Sequence, residues 1–346
     1  MNSRERQLAA IRHEIPDRIP VDAIAVENCE AIAAALGIDP TAVPVCLGLD
    51  GRIVSAPCLH PRTTPDGHPM TEWGTLSGVG YGCLMLHPLA HASTTQEIES
   101  YAWPRVDDYD YAAAAREAAQ LSQEYAVRGP YWVPLFCRVC DLFGMEEGMV
   151  KMIAEPVLFE AALEGVFQHV YQYCEALLYA CGDSMPILCL GDDFATQRAM
   201  MISPDHWRTF LKPRYAKLFE LGRRRGKFIW FHSCGNVVEV LPDLIDIGLD
   251  VWETVQLHTL PISASHLKAE YGKHITFFGG VNTQRLPWRT PDEVRDEVRR
   301  CIENLGRGGG YICGPDHHIK PDVPAENAVA LFDEARAFTR EGYTTP

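Results

Sequence analysis

Apolar residues fall along this chain in two rhythms. Short unbroken runs bounded by Gly, Asp or Asn occur at Trp132 to Cys137, Pro186 to Leu190, Lys227 to His232, Val251 to Trp252, Ile275 to Phe278 and Tyr311 to Ile312. Between them the apolar positions recur every three to four residues, most clearly at Phe159, Leu163, Val166, Val170, Cys174, Leu177 and Cys181. The first rhythm predicts strands covered on both faces, and the second predicts helices. The long helix runs from about Pro156 to Ala180 and stops at Gly182. Ser203 before Pro204 and the capping box from Thr290 to Glu293 start two more. A further helix follows Asn236, and the last spans Pro324 to about Thr339.

Strand and helix alternate steadily from about residue 130 onward, which predicts a parallel sheet wrapped by helices. Ile19 to Ile24 adds a seventh strand, and Tyr81 to Leu86 is the candidate eighth. Eight strands close a single (β/α)8 TIM barrel over residues 1–346, with a loop-rich insertion at about 37–104 where Pro, Gly and His are frequent. The competing open, doubly wound sheet lacks its signature, because no Gly-x-Gly-x-x-Gly turn opens a helix after a strand.

Composition narrows the function. A chain of 346 residues, 47% apolar, can bury a large core. The formal charge is −15 and the nearest basic run is Arg223 to Arg225, so no stripe of cations exists to displace counterions from nucleic acid. The N-terminal stretch lacks an apolar leader and no run is long enough to span a bilayer, so a cytoplasmic protein is expected. The twelve cysteines then read as reduced thiols. Cys174 and Cys181 belong to a helix stripe, and Cys137 with Cys140 lacks a second pair to complete a four-ligand site.

Polar residues gather where strands end: Asp192 and Asp193, His232 and Cys234, Glu253 and Gln256, Asn282 and Gln284, then Cys313, Asp316 and His317. In a barrel those ends open on one face. Imidazole and thiolate suit Zn²⁺, so His232, Cys234 and Cys313 are the expected ligands of an open zinc site. Glu253 is the candidate fourth ligand or a catalytic carboxylate, with a solvated loop charge as its plain alternative. Asp193 is the other candidate for proton transfer, although an Asp192 and Asp193 pair can also cap a segment. Asp192, Gln256, Asn282, Asp316 and His317 are expected to contact substrate, with His317 and His318 also able to act as acid, base or support for a ligating imidazole. Asp66 to Gly74 reads as a turn into an extended segment, with Trp73 packed or forming a wall of the substrate opening.

The runs Pro16 to Val21, Asp66 to Gly74, Gly191 to Gln197, Phe231 to Asn236, Gly279 to Gln284 and Cys313 to Asp316 resemble the uroporphyrinogen decarboxylase superfamily over almost the whole chain. The His-x-Cys pair with a distant Cys is similar to its zinc-dependent corrinoid methyltransferase branch. The resemblance implies zinc on His232, Cys234 and Cys313, and methyl exchange between a corrinoid (cobalamin) on a partner protein and tetrahydrofolate or a small thiol. Decarboxylases of the family carry Arg-Gln-Ala-Gly-Arg after the first strand; here Asp22 to Glu27 has no arginine, and an acidic, apolar entrance is expected to repel a polycarboxylate. A decarboxylase-type lyase acting on a smaller substrate and a non-catalytic corrinoid- or tetrapyrrole-binding module are the alternatives, and association into a homodimer is left open.

Overall fold

The computed structural model describes residues 1–76 and 86–339. Seven parallel strands form its centre: β1 (Gly51–Ile53), β2 (Ala126–Pro130), β3 (Ile187–Gly191), β4 (Phe228–His232), β5 (Val251–Val255), β6 (Thr276–Val281) and β7 (Tyr311–Pro315). Each pairs with the next in the chain, so sheet order is sequence order throughout. Because parallel crossovers are as a rule right-handed, an order without reversal curls the sheet one way, giving an α/β fold of the TIM-barrel-like kind.

Strands β3 to β7 match the expected runs, and three expectations change. The run at Trp132 to Cys137 is not a strand: β2 lies just before it, disguised by Arg128, and Phe136 already starts a helix. β1 lies inside the stretch expected to be loop, too short at three residues and too polar at Arg52 to stand out. Ile19 to Ile24 is reduced to a parallel bridge between Val21 and Cys313, flanked by the Asp50 amide donating to the Val21 carbonyl. Pro20 has no N–H to extend that ladder. The candidate eighth strand falls outside the described residues apart from Leu86.

Helices cover the outer face, of which α2 (Phe136–Phe143), α3 (Pro156–Cys181), α4 (Lys212–Arg224), α5 (Pro291–Cys301) and α6 (Ala325–Ala337) are used below, while α1 (Ser3–Ile11) packs against the inner side of the sheet. The α3 stripe of Phe159, Leu163, Val166, Val170, Cys174 and Leu177 is buried as its spacing predicts. Each such aliphatic or aromatic burial stabilises by roughly 1.5–3 kcal/mol. Thr290 and Glu293 form the expected capping box on α5, and Ser203 caps a turn that runs through a π-helical segment, Trp207–Leu211, into α4. Among the described residues no single helix is long and apolar enough to cross a membrane, and no disulfide joins the cysteines.

Strand pleating splits the core in two. Ala126, Ile187, Cys189, Trp230, Val251, Phe278 and Ile312 face inward, packed against Leu8, Ala10 and Ile11 of α1. Their neighbours Val127, Leu188, Ile229, Trp252, Phe277 and Cys313 face the helices. Because side chains alternate with period two, the inner set carries on at Gly191, His232 and Glu253, which the register places side by side.

Candidate active site

Close packing shapes the end of β4. A Cβ on Gly191 would lie 3.0 Å from the Trp132 ring and 3.2 Å from the His232 Cβ, so a side chain there would crowd the indole, which stands nearly perpendicular to the imidazole with centroids 5.6 Å apart. Past His232 the chain turns at Gly235, whose φ of 81° and approach to the Thr196 carbonyl exclude a side chain. The turn places the Cys234 amide 2.9 Å from Asp193 Oδ1, which accepts it. Tyr131, another wall of this corner, holds a left-handed φ of 87°, uncommon for a bulky residue.

His232, Cys234 and His317 offer donor atoms that all lie within 4.8 Å of one another. Zinc–nitrogen and zinc–sulfur bonds of ~2.0–2.3 Å space tetrahedral donors roughly 3.4–3.6 Å apart, so a small side-chain movement closes the set and leaves a fourth position open. The donor chemistry fits zinc. His232 is held from behind: its Nδ1 lies 2.9 Å from Glu253 Oε1, and Glu253 Oε2 accepts from Trp230 Nε1. With Nδ1–H given to the carboxylate, Nε2 is the nitrogen free to bind, and Asp193 Oδ1 stands 3.6 Å from it.

Charge is concentrated here. Burial opposes a proton on His232, but contacts with Cys234, Glu253 and Asp193 hold it well above its ordinary value. Burial likewise pushes Glu253 up, and His232 and Arg128 bring it below the usual carboxylate range. Arg128 lies over the Trp230 ring at 4.7 Å and pairs with Asp22 at 2.5 Å. Asp193 and Glu253 both stand against the His232 imidazole while Arg128 answers Asp22, so the corner favours a cation, either a proton on that ring or a metal ion in its place. Burial pushes the Cys234 thiol up; burial and then His232 push His317 down to about 4, leaving the neutral imidazole a ligand requires.

Two expected ligands lie elsewhere. Cys313 follows inward-facing Ile312 and so points to the helices, fully buried in the outer layer with Tyr311 and Cys301 of α5. Burial pushes its thiol up to about 12. Glu253 has both oxygens engaged behind the imidazole, which makes it a positioning residue for His232 rather than the fourth ligand. Asp192 also departs from its expected role, because it never faces a pocket. Its carboxylate accepts the amides of Leu135 (3.1 Å), Phe136 (2.7 Å) and Cys137 (3.0 Å) and the Tyr215 hydroxyl (2.6 Å), capping α2.

On the open side of the triad is a cleft of about 740 Å³. Cys234, Gln256, Thr283 and His317 form its inner wall, with Gln256 accepting the Gly235 amide at 2.8 Å. Asp316 supports that wall from below by accepting the Thr283 amide and hydroxyl at 3.0 and 2.7 Å. Asn282 faces a separate cavity beside Glu297 and accepts the Gln284 amide, so it does not reach the cleft. Arg198, Lys320 and Trp288, the last 84% exposed, form the outer wall with Asp322. Lys320 is paired with Glu27 at 2.7 Å, so the mouth carries charges of both signs in place of the expected acidic surface. Local pattern gives no sign of Arg198 or Lys320, which sit on loops of different strands.

Residues 126–338 match the family described as uroporphyrinogen decarboxylase (URO-D). The uroporphyrinogen decarboxylase of Methylococcus capsulatus is 25% identical over 197 residues, covering 54% of this chain and 51% of that protein. That of Pseudoalteromonas translucida is 25% identical over 211 residues, covering 56% and 52%. The chain thus spans about half the length of the curated relatives it matches. A methyltransferase from Methanosarcina mazei shares the fold, with a TM-score of 0.70, 20% identity and coverage of 97% of this chain and 98% of that one.

Proposed function

The chain belongs to the uroporphyrinogen decarboxylase family, and we propose that within it this protein is a zinc-dependent methyltransferase rather than a porphyrinogen decarboxylase. The observation that carries the reading is the gathering of His232, Cys234 and His317 within 4.8 Å at a cleft. The methyl group moves between a corrinoid on a partner protein and a thiol or tetrahydrofolate. The bridge at Val21 supports a closed (β/α)8 barrel over the whole chain as the frame, with these strand ends on its open face.

Zinc held by the triad would bind a thiol acceptor as thiolate and so supply a strong nucleophile at neutral pH. The surrounding residues do the rest. Glu253 and Trp230 fix the tautomer and tilt of His232. Asp193, whose Oδ1 is 3.6 Å from His232 Nε2, is the carboxylate placed to take the acceptor's proton. Gln256 and Thr283 orient the acceptor, while Arg198 and Lys320 suit a sulfonate or the carboxylates of a folate tail.

A lyase reading has one observation on its side, since the same two basic groups suit a small carboxylated substrate. One experiment separates the readings. Purified protein is assayed for metal, then mixed with methylcob(III)alamin and each acceptor while the visible spectrum follows conversion to cob(I)alamin. We expect stoichiometric zinc and conversion that Cys234→Ala or His317→Ala abolishes. A chelated protein that still decarboxylates a small acid would replace this reading with the lyase, and corrinoid binding without conversion would replace it with a binding module.

A further inference from the structure

The segments that follow β1 and β2 enclose a second cavity, of about 210 Å³, which plays no part in the chemistry above. Its wall is aromatic, built from Trp73, Tyr109, Trp132, His169 and Tyr173, with Glu72 as its carboxylate. Trp73 stands nearly perpendicular to His169 at 4.8 Å, and Tyr109 lies 4.7 Å from Tyr173. The polar atoms of Tyr109, His169 and Tyr173 are already occupied. The Tyr173 hydroxyl accepts the Ala56 amide at 3.0 Å and donates to the Ala56 carbonyl at 3.2 Å. His169 Nδ1 lies 3.0 Å from the Pro104 carbonyl, to which it donates, so Nε2, 3.2 Å from the Tyr109 hydroxyl, accepts. These three rings therefore present mainly ring surface toward the cavity.

The charge is one-sided. Arg138 also lines the cavity, but its guanidinium bonds Asp141 at 3.0 Å and lies over the Trp73 ring at 5.1 Å. Glu72 interacts with the Tyr109 hydroxyl but forms no ion pair among the described residues, and burial lowers the proton affinity of His169 so that it stays neutral. With Arg138 offset by Asp141, the Glu72 carboxylate is left among ring quadrupoles, a setting that attracts a cation. A metal ion or primary ammonium needs several oxygen acceptors in place of its water, and one carboxylate does not supply them. An alkylated ammonium is weakly hydrated and meets ring faces well. The volume is below the roughly 300 Å³ at which pockets for drug-sized ligands begin, which limits the guest to a few heavy atoms.

We propose that this cavity binds a small methylated ammonium ion. The Trp132 indole lines the cavity and stands 5.6 Å from His232, so the guest lies one side chain away from the triad. The binding does not rest on the methyltransferase reading.

Calorimetry of the full chain with choline and with dimethylbutanol, its uncharged carbon isostere, tests the proposal, with and without a chelator. We expect saturable choline binding, roughly tenfold weaker or absent binding of the alcohol, and a loss of roughly tenfold in Glu72→Gln, as a cation–π and carboxylate site implies. An unchanged melting temperature shows that Glu72→Gln folds, and Trp73→Phe, which keeps a ring, should retain most of the affinity. Absence of saturation, equal binding of the alcohol, or undiminished binding in Glu72→Gln overturns it. Choline binding that survives the chelator supports the proposal whatever becomes of the zinc reading, and zinc-dependent transfer without choline binding refutes this proposal alone.

Discussion

Adjacent carboxylates do opposite work, and the contrast can be measured. Asp192→Ala removes the acceptor for three amides and the Tyr215 hydroxyl at the start of α2. Each buried donor left unsatisfied costs about 1–3 kcal/mol, and entering water together with the Leu135 amide's second contact, the Tyr215 hydroxyl at 3.4 Å, recovers part of that. The net loss should be ~3–5 kcal/mol. Unfolding entropy of roughly 2.1 cal/mol/K per residue over 346 residues gives ~0.7 kcal/mol/K, so each kcal/mol shifts Tm by ~1.4 °C. Differential scanning calorimetry should show a fall of ~4–7 °C. Asp193→Asn should melt within ~1.5 °C of the parent while losing roughly 10²-fold or more in methyl transfer. The reasoning fails if Asp192→Ala melts within ~1 °C of the parent, or if Asp193→Asn melts as low as Asp192→Ala.

Elemental analysis should find zinc lost from Cys234→Ser and His317→Ala yet retained in Cys313→Ser, whose sulfur faces the helices; zinc loss in Cys313→Ser would contradict the assignment. Glu253→Gln should weaken zinc binding by roughly 10–100-fold in a competition titration, as expected when a ligating imidazole loses its supporting carboxylate. Burial pushes Lys268 down to about 8, below its unfolded value of roughly 10.4. The unfolded chain then holds more protons between those values, so stability gains with rising pH across that window, and urea titrations of Lys268→Met should show a flatter pH dependence than the parent.

Local pattern exposes much of this architecture, and the misses share a cause. Strands β3 to β7 and helices α3, α5 and α6 follow from periodicity and caps because their neighbours bury them in the ordinary way. β2 escapes because Arg128 sits inside the sheet, and its partner Asp22 is 106 residues away. His232 and Cys234 are readable as the end of a strand. Cys313 misleads by a single step of the pleat, and alternation from Ile312 already assigns it to the helix side. His317 is visible only as a polar residue in the following loop, since nothing local says which way that loop turns. The aromatic chamber is invisible because its members, from Glu72 to Tyr173, come from four separate elements and loops.

Trp132 is a party wall. The indole lines the chamber beside Glu72, and it stands nearly perpendicular to the imidazole of His232 at 5.6 Å. Gly191 packs against the same ring, where an added Cβ would lie 3.0 Å away, so the indole and the imidazole share one tightly packed corner. A substitution of Trp132 that reshapes the chamber should therefore also be read out at His232.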